Sequence, residues 1–177
     1  GGVQLIDTAT GELLDTLQLD QSIVTDIAIS PKGSWLAVAH GETITLCPLK
    51  SQPAIAFDPD RTVMLTGDWD FAGSVAFSPD GQQLVSSGGD GAVRVWQMSG
   101  PKEPRVLQGH TGSVHSLALH PSGQWLATGS STGIIRLWDL ASGQTMRRLN
   151  GHRGVVQSLA FSHDGEVLAS GGRDHDI

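Results

Sequence analysis

The sequence has one cysteine, few basic residues and no long apolar run, and each shortage excludes a class of protein. Cys47 is alone among 177 residues, which excludes an intrachain disulfide and a cysteine-based metal site. The 11 basic residues against 18 acidic ones give a net charge of −7, which predicts no binding to nucleic acid or to a membrane surface. No apolar stretch approaches the roughly 20 residues that span a bilayer, and no signal peptide is visible. We therefore expect a cytoplasmic protein.

The chain also lacks a helical period of useful length, and what it has instead is a repeat. Its 23 glycines, 8 prolines and short alternating apolar runs predict an all-β protein. Three segments align without gaps and end at Gly81, Gly123 and Gly165, so that neighbouring copies are equally spaced along the chain. A fourth copy, ending at Gly33, precedes Gly81 by a longer interval because of an insertion around residues 50–61. A period of about 40 residues predicts stacked structural units.

Each copy has the same pattern of short strands and turns. In the most regular copy the predicted strands are 114–119, 125–129, 134–138 and 145–149, with turns at 121–123 and 141–143. Four short strands in one copy predict one four-stranded antiparallel sheet. Because such a sheet has two apolar faces, copies of it must stack around an axis to bury both.

Short motifs recur at this period. They are Gly-His at 109–110 and 151–152, Leu-Trp-Asp at 137–139 and Ser-Pro-Asp-Gly at 78–81. Over essentially the whole chain this pattern resembles the WD40 (WD-repeat) β-propeller family. The resemblance implies the outer half of a blade at 1–19, full blades at 20–66, 67–108 and 109–150, and the inner half of a blade at 151–177. We expect these repeats, about four in all, to be a slice of a larger propeller; the alternative is a four-blade ring that the two half-blades close.

The resemblance also implies a structural hydrogen-bond network in each blade, made by a histidine, a turn aspartate, a serine or threonine and a tryptophan. It assigns nine residues to these networks: His110, Thr128, Trp138, Ser86, Asp90, Trp96, His152, Ser170 and Asp174. No copy is complete in this sequence. Thr132 stands at the aspartate position of blade 109–150, and Asp68 at the histidine position of blade 67–108. In blade 20–66 the histidine, hydroxyl and tryptophan positions hold Asp20, Val38 and Cys47.

Several residues could suggest chemistry, but none has the pattern that chemistry needs. His152, Ser170 and Asp174 have the residue types of a hydrolase trio, yet no nucleophile elbow or oxyanion hole accompanies them. His110, His115 and His120 fall along one strand and its flanks, without metal-ligand spacing. We therefore predict no catalytic residues, no metal and no cofactor.

One rim of the predicted propeller carries the candidate binding residues. In the family's geometry the loops before first strands share this rim with the loops between second and third strands. The candidates are Trp69, Phe71, His115, Arg153, Arg173 and His175. Trp69 and Phe71 stand where neighbouring copies have smaller or polar residues, and aromatic and arginine side chains are typical interface anchors. The alternative is that both aromatics pack locally.

These observations predict a non-catalytic scaffold that displays rim loops to other proteins, whose identity the sequence does not give. A purely structural role is the alternative, with the blades completing a larger multidomain protein, for example one with a signalling, nucleotidase or kinase domain. A hydrolase of propeller fold is the least favoured alternative.

Overall fold

The computed structural model describes residues 1–20, 22–50, 55–67, 70–99 and 103–174. Within these ranges the chain consists of short strands joined by tight turns, and its helical element is one 3-10 turn at Pro59–Arg61. Every strand pairing is antiparallel. Each strand pairs with the next one along the chain within its sheet, except that the last strand of the second sheet pairs with the strand two before it. The predicted all-β fold of four-stranded antiparallel sheets is confirmed.

The strands form five sheets in chain order. The first sheet has β1 (Gly2–Ile6) and β2 (Leu13–Gln18). The second has β3 (Val24–Ile29), β4 (Trp35–His40), β5 (Thr43–Lys50), β6 (Ala56–Phe57) and β7 (Val63–Thr66). The third has β8 (Ala72–Phe77), β9 (Gln83–Gly88), β10 (Val93–Gln97) and β11 (Arg105–Leu107). The fourth has β12 (Val114–Leu119), β13 (Trp125–Ser130), β14 (Ile134–Asp139) and β15 (Thr145–Asn150). The fifth has β16 (Val156–Phe161) and β17 (Leu168–Gly172).

The repeated turn between the first two strands of a sheet depends on glycine. Gly81 and Gly123 both have φ of 71°, a left-handed conformation that residues with a Cβ adopt only with strain. Each glycine amide closes the turn by donating to a carbonyl three residues back. This turn sets the register of the hairpin, which is why the repeat aligns so well at these positions.

The insertion in the second sheet divides its outer edge into two short strands. Both β6 and β7 pair with β5, the first at Leu49 and Lys50 and the second from Thr43 to Leu46. The 3-10 turn joins them. Phe57 of β6 is buried, and its amide donates to Asp15 Oδ2 of the first sheet at 2.9 Å. The additional residues therefore help to join the first and second sheets.

The apolar core lies between neighbouring sheets. The first strands β3, β8, β12 and β16 lie side by side in chain order, so that each sheet faces the next. Between the third and fourth sheets the core includes Val85, Leu107, Leu126 and Trp138, of which Leu126 is completely buried. Burying a side chain of this size stabilises the fold by about 1.5–3 kcal/mol. A sheet therefore gains much of its stability from its neighbours.

Candidate functional site

A backbone hydrogen bond recurs at the same place in the last three sheets and fixes one rim of the molecule. The amide just after the second strand donates to the carbonyl of the loop residue just before the first strand. The donor and acceptor residues are Gly89 and Phe71 at 2.9 Å, Ser131 and Ser113 at 2.8 Å, and Arg173 and Val155 at 2.9 Å. The hydrogen bond is the same in three copies, while the side chains differ in size, polarity and charge. Variable side chains on a rigid frame are typical of binding loops.

Phe71 lies at the boundary between the third and fourth sheets and is half-buried. The centroid of its ring is 5.4 Å from that of the His115 imidazole, and the two planes are inclined by 36°. Gly89 makes room for the ring, because a Cβ there would stand 2.7 Å from Phe71 Cδ1. One side of Phe71 therefore packs on the fold while part of the ring stays accessible. Trp69 lies outside the described residues.

Arg173 follows the last strand of the fifth sheet and is exposed. With the Gln157 amide turned so that its oxygen faces the guanidinium, Arg173 Nε and Nη2 donate to that oxygen at 3.1 and 3.2 Å. The sequence reasoning missed Gln157. Its signal was positional, since Gln157 stands in the last copy at the place that His115 has in the copy before. His175 lies outside the described residues.

His115 lies between Phe71 and Arg173: its ring is near the phenyl ring, and its pKa responds to the guanidinium charge. Partial burial, and then the positive charge of Arg173, lower the pKa of the His115 imidazole. The ring is therefore mainly neutral at neutral pH. The structure thus brings Phe71, His115 and Arg173 to one area that spans three sheets. Arg153 lies in the loop before β16 and is also exposed.

A polar cavity of about 250 Å³ runs along the first strands of the last four sheets. Its lining includes His115 and Gln157 as well as hydroxyl groups that already join neighbouring sheets. Asp26 accepts from Ser74 Oγ at 2.6 Å, and Ser116 Oγ donates to the Val156 carbonyl at 3.0 Å. These bonds satisfy polar groups at the sheet boundaries. The residues that line the cavity therefore hold neighbouring sheets together, and the cavity itself is a recess next to the rim residues.

The polar network of the fourth sheet lies inside the blade. His110 Nε2 is 2.7 Å from Thr128 Oγ1, and Trp138 Nε1 donates to the same oxygen at 2.7 Å. Thr128 is completely buried. His110 Nδ1 and Arg136 Nε are buried without a hydrogen-bond partner among the described residues. Desolvation, and then the charges of Arg136 and Arg148, lower the pKa of His110 to about 4. The imidazole is therefore held neutral.

The fifth sheet has the carboxylate partner for its histidine that the fourth sheet lacks. His152 Nε2 lies 2.8 Å from Ser170 Oγ, and Nδ1 lies 3.0 Å from both carboxylate oxygens of Asp174. The hydrogen bond from His152, and then that from the Arg153 amide, lower the pKa of Asp174 to about 2. The atoms are connected as in a hydrolase trio. The equivalent hydroxyl in the fourth sheet, that of Thr128, is however buried beneath an indole. This indicates that the hydroxyl position has a structural role within the sheet.

In the third sheet an arginine takes part in the network. Trp96 Nε1 donates to Ser86 Oγ at 2.9 Å, as the indole of the fourth sheet does to its threonine. Asp90 binds Arg94, with 2.7 Å between Oδ2 and Nη2, and the arginine side chain is 8% exposed. Asp68, at the histidine position, lies outside the described residues.

The second sheet has a histidine in a place that the sequence reasoning did not anticipate. His40, at the end of β4, has Nε2 2.8 Å from Thr45 Oγ1. Its Nδ1 lies 3.4 Å from Asp20 Oδ1, which is within ion-pair range but lacks hydrogen-bond geometry. Asp20 occupies the position that histidine has in the fourth sheet. His40 aligns with Gly172 of the fifth sheet, two residues before Asp174, so it does not stand at the aspartate position. A search for histidine at one fixed position does not detect it.

In the described part of the chain, no group of three His, Cys, Asp or Glu side chains is placed to hold a metal ion. His120 has different neighbours from His110 and His115: its ring packs on Trp125 and Phe161 at centroid distances of 4.7 and 5.1 Å. The same ranges contain no helix that is long and apolar enough to cross a membrane.

A family profile described as WD domain, G-beta repeat matches residues 11–46, 73–97, 101–139 and 143–177, which is more than half of the chain. The segment 73–97 lies within the third sheet, whereas the other three segments each begin with the outer strand of one sheet and continue into the next. The segment 101–139, for example, contains β11, the outer strand of the third sheet, and then β12 to β14 of the fourth.

Known proteins resemble parts of the chain. An uncharacterized WD repeat-containing protein of Synechocystis sp. is 32% identical over 111 residues, which cover 62% of this chain and 30% of that protein. The small ribosomal subunit protein RACK1 of Drosophila melanogaster is 33% identical over 97 residues, covering 54% and 30%. The WD repeat and SOCS box-containing protein 1 of Homo sapiens is 32% identical over 100 residues, covering 55% and 22%. The matched region thus spans less than a third of each relative.

Proposed function

Because the chain belongs to the WD40 repeat family, we propose that it is a non-catalytic scaffold that binds other proteins through the rim surface. We define the rim surface as Phe71, His115, Arg153, Gln157 and Arg173. The family is generally non-catalytic, and one relative, RACK1, is named as a protein of the small ribosomal subunit, which supports a role within an assembly.

The recurring backbone hydrogen bond is the observation that carries this proposal. It holds the loop before the first strand against the end of the second strand in three copies. A purely structural loop would be served by the small Ser113 and Ser131 pair in every copy. The neighbouring copies instead have Phe71 with Gly89 and Val155 with Arg173. Partly accessible aromatic side chains and arginines are the residue types that dominate binding energy at interfaces.

A purely structural role is the second candidate, and the packing of Phe71 favours it. The ring lies against Gly89 and His115, so on this second account its removal would destabilise a sheet boundary. The two roles differ in what a rim substitution changes: binding on the first account, and stability on the second.

The test is a double substitution, Phe71→Ser with His115→Ala, in the complete protein. The matched control is Met64→Ser, because Met64 is 63% exposed on the outer strand β7. Each variant is used to capture partners from a lysate of the native cells, and its melting temperature is measured in parallel. We expect the rim variant to lose at least about tenfold in capture, as for removal of an interface anchor, while the control binds normally.

A rim variant that still captures its partners would contradict the proposed function. A sharp fall in melting temperature, with capture reduced only in proportion, would support the structural role.

A further inference from the structure

The rim surface has a charge that differs from the charge of the chain as a whole. The net charge is −7, yet the rim of the fifth sheet presents the exposed guanidinium groups of Arg153 and Arg173. Within the described ranges, the ion pairs are those of His40, Lys50, Arg94 and His152 with carboxylates. The nearby carboxylate, Asp174, is bound to His152 and to the Arg153 backbone amide. Arg153 and Arg173 adjoin in the fold, because the Arg173 amide donates to the carbonyl of Val155, two residues after Arg153. They bring two positive charges to a rim whose nearby carboxylate is already hydrogen-bonded.

Arg173 is oriented without being neutralised. Its Nε and Nη2 donate to the Gln157 oxygen, which is an uncharged acceptor. A guanidinium has five N–H donors, so three remain for a ligand. The amide fixes the side chain before a ligand arrives, which lowers the entropy lost on binding.

An apolar area adjoins the positive one. The Phe71 ring and the His115 imidazole lie 5.4 Å apart, and the imidazole is kept neutral by partial burial and by Arg173. A neutral imidazole beside a phenyl ring favours contact with an apolar side chain. The rim surface therefore offers an apolar contact and a carboxylate-binding group next to each other.

We propose that the rim surface binds an acidic segment of a partner protein, in which a carboxylate contacts Arg153 and Arg173 and a neighbouring apolar side chain packs on Phe71 and His115. This inference rests on the proposed scaffold function and specifies the chemistry of the partner. A guanidinium matches the two oxygens of a carboxylate, and such charge-assisted hydrogen bonds are roughly twice as strong as neutral ones. Two arginines on an acidic protein are too few for a nucleic-acid backbone, whose binding depends on many phosphate contacts.

The test uses a capped hexapeptide with two central glutamates flanked by phenylalanines, and a twin with glutamines in place of the glutamates. The complete protein is labelled at histidine, and the His115 ring signals are followed by NMR during titration. We expect the acidic peptide to shift these signals and to raise the pKa of His115, because a carboxylate stabilises the imidazolium. The glutamine twin should bind at least about tenfold more weakly.

The matched variants are Arg173→Gln, Arg153→Gln and, as control, Arg147→Gln, an exposed arginine on β15 outside the rim surface. We expect each rim variant to weaken acidic-peptide binding by at least about fivefold and the control to leave it unchanged. Melting curves of the three variants show whether each is folded.

Equal binding of the two peptides, or binding that the rim arginines do not affect, would overturn the acidic-segment proposal. Absence of any His115 shift at a peptide concentration of about 5 mM would also overturn it, because a dissociation constant above that value is weaker than that of most specific contacts. Hexathymidylate that binds more tightly than the acidic peptide, and is lost in the same variants, would identify a phosphate site instead. The lysate capture with Phe71→Ser and His115→Ala tests the scaffold function separately. Capture that depends on Phe71 and His115 but not on the arginines would preserve the scaffold and reject the carboxylate.

Discussion

The fourth and fifth sheets have the same histidine at the same place in the repeat and surround it differently. In the fifth sheet His152 lies between a serine hydroxyl and the Asp174 carboxylate. In the fourth sheet His110 has its threonine, but Thr132 stands where the carboxylate would be, and Nδ1 is buried without a partner in the described part of the chain. One histidine is therefore fully hydrogen-bonded, and the other has a pKa lowered to about 4.

These two sheets show that no one polar network is required for a blade. The third sheet uses an arginine–aspartate pair, and the second places a histidine from the end of its second strand beside an aspartate at the usual histidine position. The backbone arrangement nevertheless recurs from sheet to sheet. What the sheets share is an apolar boundary with the next sheet. We therefore infer that burial at these boundaries supplies most of the stability of the fold and that each polar network contributes a smaller part.

Breaking the apolar boundary should cost the most stability. Leu126 of β13 is completely buried between the third and fourth sheets. Leu126→Ala should lower the free energy of unfolding by about 2–5 kcal/mol, from lost burial and the cavity that remains. Urea denaturation measures it. Leu149→Ala, at a 38% exposed position on β15, is the control and should cost far less.

Removing the central hydroxyl of the fourth sheet should have a smaller effect. Thr128→Val keeps the shape of the side chain but removes the oxygen that both His110 and Trp138 contact. Leaving buried donors unpaired should lower the free energy of unfolding by about 1–3 kcal/mol. A loss as large as that of Leu126→Ala, measured in the same denaturation series, would contradict the ranking of apolar boundary above polar network.

Supplying the missing carboxylate should make the fourth sheet resemble the fifth. Thr132→Asp places a carboxylate at the position equivalent to Asp174, in place of a hydroxyl that lies 2.9 Å from Ser130 Oγ. We expect a gain of about 1 kcal/mol in unfolding free energy and a rise in the pKa of His110, because the new charge favours the imidazolium. Denaturation measures the first and NMR titration of His110 the second. An unchanged His110 pKa would show that the two sites are not equivalent.

Acid should weaken the two sheets in different pH ranges. The pKa of His110 is lowered to about 4, so the unfolded chain binds its proton first and stability falls as the pH drops from about 6.5 to 4. The pKa of Asp174 is lowered to about 2, so its stabilisation is present above about pH 4 and is lost only as the pH falls toward 2. Hydrogen exchange at pH 5 and pH 7, corrected for intrinsic rates, should show lower protection in β13 at pH 5 and unchanged protection in β17. Equal losses in both strands would contradict this assignment.

The sequence predicts the strands well because each copy has its own turn glycine and alternating pattern, and the regular spacing repeats them. The resemblance to the family assigns Thr128 and Trp138 to one network, and in the structure the indole donates to the threonine oxygen. The sequence does not place His40, because the shortened turn before β5 moves a histidine from a neighbouring position into the network. Nor does it identify Gln157, whose role depends on where the long Arg173 side chain turns in three dimensions.

Binding, as we propose it, resides in the rim surface, and stability resides in the boundaries and networks below it. The most direct measurement is the dissociation constant of a captured partner, determined together with unfolding free energy for the rim variant Phe71→Ser with His115→Ala and for Thr128→Val. We predict that the rim variant binds at least about tenfold more weakly with little change in stability. Thr128→Val should lose about 1–3 kcal/mol of stability and, while folded, bind the partner normally. If instead both proteins lose affinity in proportion to their loss of stability, the rim is part of the fold and the division between binding and stability is wrong.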